Sequence, residues 1–139
     1  MIGDFKVSKD YRIESDEILH GFRTFKFRAL HNGVYTTDII NDGSGDIFRV
    51  YPTIKNEAEW ILDEIDPSGL VFTAVDKSFV RKDLYEKFCI EYTTTHKGWF
   101  YDTATEDGKT IYLIFKKHIT PELLLEVLKW CLTNYFNIT

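Results

Sequence analysis

The chain has 139 residues, a net charge of −5 and 44% hydrophobic residues. At 16.4 kDa it exposes roughly 7,500 Å² when folded against about 24,000 Å² unfolded, enough for one core, so a single domain is expected. The apolar content excludes disorder, the mild acidity excludes a general polyanion binder, and apolar runs of about five residues exclude a membrane-spanning helix.

The first 17 residues, MIGDFKVSKDYRIESDE, carry neither the basic start nor the apolar stretch of a secretion leader. They read as a polar N-terminal arm, with the single domain spanning 18–139. Two cysteines, Cys89 and Cys131, sit in apolar helical patterns. They cannot build a disulfide framework and read as buried thiols, so a cytoplasmic setting is expected.

From residue 18 to 30, Phe25, Phe27 and Ala29 alternate with Thr24, Lys26 and Arg28, the period of a half-buried strand. Asn32-Gly33 is a hairpin signal and Val34–Ile40 its returning strand. A turn at 41–45 leads to a third strand, Asp46–Tyr51, ended by Pro52. Then the period becomes helical: Ala58, Ile61, Leu62 and Ile65 form a stripe behind an Asx cap at Asn56, and Asp66-Pro67 stops it. Leu70–Val75 reads as a buried strand. Ser78 caps a second helix with the stripe Val80, Leu84, Tyr85, Phe88, Cys89 and Tyr92. Trp99–Thr103 and Thr110–Phe115 form a hairpin around Asp107-Gly108. Thr120-Pro121-Glu122 starts a last helix running to about Phe136. The order β-β-β-α-β-α-β-β-α predicts an α+β fold in two layers, with a mixed, mainly antiparallel sheet and helices packed mainly on one face.

Five segments could carry function. The loop Asn41–Asp46 contains Gly43, Ser44 and Gly45, whose backbone N–H groups could converge on an anion. It runs strand to strand and is flanked by Asp42 and Asp46, which also suits a plain hairpin. The segment Thr93–Trp99 offers His96 and Lys97 as further ligand contacts. His96 is also the candidate general base, with Glu91 or Asp102 to orient it, although no nucleophile stands at a recognisable spacing. On the first strand Arg23, Lys26 and Arg28 interleave with phenylalanines, the composition of a single-strand nucleic-acid surface. Alternation equally lets the rings face the core and the cations face water.

The fourth segment is the acidic helix, where Glu57, Glu59, Asp63, Glu64 and Asp66 oppose only Lys55 and Trp60 lies off the apolar stripe. Glu57, Trp60, Asp63 and Glu64 are therefore candidate contacts for a basic protein partner. The fifth is the last helix, with the stripe Leu124, Val127, Leu128, Cys131 and Tyr135. It is flanked by Leu125, Leu132 and Phe136 on one side and by Leu123 and Trp130 on the other. A helix apolar nearly all round must be covered nearly all round. That requirement points to self-association through Leu125, Trp130, Leu132 and Phe136, or to wrapping by the other helices.

No metal-ligand, Walker or nucleophile-elbow spacing occurs, and neither cofactor nor metal is called for. The leading expectation is a small cytoplasmic, non-catalytic interaction protein, a homodimer that binds a protein partner. Its size and composition suit an accessory protein of a phage or mobile element acting on host machinery. The alternatives are a nucleotide or small-anion binder using the loops 41–46 and 93–99, and a small enzyme built on His96.

Overall fold

The computed structural model describes residues 5–8, 11–31, 34–36, 46–75 and 79–135. The strand β3 (Phe22–His31) organises the sheet. Its antiparallel neighbours are β2 (Tyr11–Glu14) and β4 (Val34–Thr36), and β2 is paired in turn with β1 (Phe5–Ser8). His31 stands opposite Val34, the register that the Asn-Gly dipeptide predicts. Residues 5–14, within the segment read as a polar arm, thus supply two strands, and Ile13 is buried in the core.

On the side away from β2, which it shares with β4, β3 runs parallel to β5 (Gly69–Val75), and β5 pairs antiparallel with β7 (Lys109–Lys116). β6 (Trp99–Glu106) closes the order β1-β2-β3-β5-β7-β6 as an edge strand. The β6–β7 hairpin turns on Asp107 and Gly108, both at positive φ. The fold is α+β with a mixed sheet, and only β3 and β5 run parallel among the paired strands described.

Side-chain alternation divides the core in two. Phe25, Phe27, Leu70, Phe72, Tyr112 and Ile114 face one side. There they meet α1 (Asp46–Trp60) through Ile54 and Ala58, and α2 (Phe79–Thr95) through Leu84, Tyr85, Phe88, Cys89 and Tyr92. Phe22, Val71, Ile111 and Leu113 face the other side and receive α3 (Pro121–Trp130) through Val127, with Cys131 just beyond it. Two helices share one face, and α3 alone forms a third layer on the other. The start of α3 follows its sequence: Thr120 Oγ1 accepts the N–H of Leu123, and Pro121 occupies the first turn.

The expected two layers are three, and three local assignments also change. Asp46–Tyr51 is the start of α1, not a strand, and Pro52 lies inside the helix. Tyr51, Ile54 and Ala58 recur at helical spacing and reach the core, so burying that stripe outweighs the proline and the β-branched residues. Asn56 is accordingly interior to the helix and not its cap. Thr93–Thr95 belong to α2, leaving only His96–Gly98 as a turn. The Thr93 and Thr95 hydroxyls donate to the carbonyls of Cys89 and Glu91, at 2.7 and 2.9 Å, and so fit the helix.

Candidate functional site

The most regular open element among the described residues is the outer edge of β6. Its eight residues pair without interruption from Trp99 opposite Lys116 to Glu106 opposite Lys109. The strand contains no proline, lysine or bulge, and the charges it carries are the exposed Asp102 and Glu106. The N–H of Thr103 is taken by its neighbour Asp102 Oδ1 at 2.8 Å and therefore points away from β7. By alternation, Tyr101 and Thr105 also direct their backbone groups outward.

The two faces of β6 differ. Trp99 and Tyr101 pack half-buried against the α1–α2 side of the core. Phe100 faces the α3 side, where it lies 6.3 Å from the Phe115 ring centre and remains 48% exposed. On α3, Leu125 is 51% exposed while Leu123, Leu124, Leu128, Trp130 and Leu132 are half-buried. The sheet covers one flank of α3 and leaves part of its apolar perimeter open.

A seam between α1 and α2 carries the other polar contacts. Tyr51, Lys55, Glu59 and Asp63 fall one helical turn apart. Lys55 Nζ meets Glu91 at 2.9 Å, and that hydrogen bond raises its pKa. Glu91 also draws Lys87, whose Nζ stands 5.8 Å from the Tyr51 ring centre. The Tyr92 hydroxyl donates to Asp63 Oδ1 at 2.8 Å, and burial together with that carboxylate pushes its pKa up. The Tyr51 hydroxyl is buried without a hydrogen-bond partner, and burial, with Glu91 nearby, pushes it up to about 12. This seam was missed by sequence reasoning, because pairing across two helices separated by β5 has no local signal.

The residues singled out by sequence are dispersed. His96 stacks on Tyr92 with ring centres 3.9 Å apart, and its Nδ1 lies 3.0 Å from the Tyr92 carbonyl oxygen. The same Nδ1 lies 2.9 Å from Thr95 Oγ1. Asp102, on the strand face opposite Trp99 and Tyr101, bonds Thr103, so the structure does not bring His96 and Asp102 together. Lys97 is exposed in the turn beside His96. Gly43, Ser44, Gly45 and Phe136 lie outside the described residues.

Trp60 is 45% exposed on α1, with Asp63 and Glu64 exposed and Glu57 half-buried. Arg23 shares the facing of Phe25 and Phe27 and is buried, its guanidinium donating to Ser15 Oγ and the Ser15 carbonyl at 3.2 Å. Lys26 points the opposite way and is half-buried, and nothing is described of the Arg28 side chain. The structure does not gather these cations on one open face.

Burial pushes both thiols, Cys89 and Cys131, up to about 12, the range of inert core cysteines. Among the described residues no group of three or more His, Cys, Asp or Glu could hold a metal, and no helix is long and apolar enough to cross a membrane. Comparison with protein-family models, with curated proteins and with solved structures finds no match to this chain.

Proposed function

We propose that this chain is a small non-catalytic interaction protein that works as a homodimer, with the β6 edges of two copies joined into one continuous sheet. The observation that carries this reading is the regular outer edge of β6, which among the described residues has no strand partner. Such an edge is a template for another strand. A second copy satisfies it with closed two-fold symmetry, whereas an open-ended partner would leave it exposed in the free protein.

The strand's charges disfavour two registers. Outward-pointing residues must face outward-pointing residues across the dyad. A dyad at Asp102 sets that carboxylate against its own copy, and a dyad at Ala104 sets Asp102 against Glu106. A dyad at Thr103 avoids both: Thr103 meets Thr103, Tyr101 meets Thr105, and Asp102 meets Ala104. Phe100, half-exposed beside Phe115, then lies near the joint and loses water on pairing.

The dimer would offer the acidic outer side of α1, with Trp60, Asp63 and Glu64, in two copies to a basic protein partner. The free, buried thiols favour a reducing compartment, and we place the protein in the cytoplasm. Amide hydrogen exchange tests the assembly. The outward N–H groups of Tyr101 and Thr105 should become protected as protein concentration rises. Fast exchange at every concentration would count against an edge-paired dimer.

A further inference from the structure

A cleft of about 610 Å³ opens where the turn from α2 to β6 meets the turn from β7 to α3, lined by Gly98, Trp99, Lys116, Lys117 and His118. The N–H of Lys117 donates to the Gly98 carbonyl at 2.9 Å and ties the two turns together. Gly98 has φ +91°, and a Cβ there would meet nothing within 4 Å, so the backbone borders open space.

The charge here is opposite to that of the chain, whose net charge is −5. Lys116 is committed: its ammonium pairs with the Asp66 carboxylate and stands 5.6 Å from the Trp99 ring centre. That pairing neutralises the carboxylate that reaches this end of the sheet. Lys97, Lys117 and His118 are exposed, and among the described residues none of them makes an ion pair. Lysines act on phosphate as point charges, and imidazole supplies a directed donor.

We propose that this cleft binds a phosphate-bearing small molecule, with Lys117 and His118 on the anion and Trp99 beside any ring it carries. Lys117 and His118 lie off β6, and Trp99 is the first residue of that strand, four positions from Thr103. Its competence follows from two turns that sequence reading treats separately, of which only the first, through His96 and Lys97, attracted notice.

Calorimetric titration of the full chain with ADP and with inorganic pyrophosphate tests the site, in wild type, in a Lys117→Ala/His118→Ala double variant and in Lys129→Ala. Binding by wild type that weakens at least about tenfold in the double variant, and not in Lys129→Ala, supports it. Tighter binding of ADP than pyrophosphate assigns the ring to the Trp99 side. Equal binding assigns the phosphate alone, and both results keep the site. Absence of heat with either probe at millimolar concentration overturns the proposal. So does binding that survives the double variant. Both substituted residues are exposed, and an unchanged melting temperature verifies that the variant remains folded.

Discussion

The ring of Phe22 occupies the space in which Gly69, its register partner across β3 and β5, would carry a side chain. A Cβ on Gly69 would collide with that ring and come within 2.6 Å of the Ile114 carbonyl oxygen. Phe22 is wholly buried under α3, and Ile114 is held in the β5–β7 ladder, so neither can give way. Gly69→Ala is expected to cost about 3 kcal/mol, read as a lower denaturant midpoint.

Tyr92 and Asp63 join α2 to the end of α1, where a π-helical turn at Ile61–Ile65 extends the helix to its left-handed stop at Asp66. Tyr92→Phe should cost about 1 kcal/mol, the usual worth of one such hydrogen bond. Asp63→Ala should cost a similar amount, and the double variant clearly less than the sum. Additive losses in a double-mutant cycle would show that the two residues are not coupled.

Alkaline pH should unfold the protein through groups that burial keeps protonated. The Cys89 and Cys131 thiols rise from 9.0 to about 12, and the Tyr51 and Tyr112 hydroxyls from 10.0 to about 12. The folded pKa is the higher one in each case, so the unfolded chain releases these protons first. Their contribution is complete below the unfolded values and is lost as pH climbs from about 9 to 12. Denaturation midpoints measured across that range should fall, and Cys89→Ala should make the fall shallower. A flat profile would contradict the assignment.

Pro52 has no N–H to give to the helical ladder at its place inside α1, and its ring crowds the preceding turn. Because it is exposed, Pro52→Ala should relieve that cost without opening a cavity. A gain of about 1 kcal/mol in stability with added helical circular dichroism is expected. Were 46–51 a strand ended by Pro52, the substitution would add no helix.

Much of the frame was readable from local chemistry. The last helix announces itself at Thr120-Pro121, the β6–β7 hairpin at Asp107-Gly108, and the α2 core stripe at Leu84, Tyr85, Phe88, Cys89 and Tyr92. Asp46–Tyr51 was misread because its β-branched residues and following proline speak for a strand, while the stripe that makes it a helix is completed only against β3 and β5. The strands of residues 5–14 were not legible, since their pairing is earned from β3 rather than from their own polar composition. For the candidate site, the exposed Leu125 on the last helix was legible from its all-round apolar pattern. The bare flank of β6 was not, because strand order decides which strand ends a sheet, and a sequence does not print strand order.

Sedimentation of wild type and Thr103→Lys over a wide concentration range bears most directly on the proposed assembly. Thr103 is exposed, so lysine should leave the fold intact while setting two like charges face to face across the dyad. A wild-type dimer that becomes a monomer in Thr103→Lys is the expected result. A wild type that sediments as a monomer throughout, or a dimer indifferent to the lysine, would contradict it.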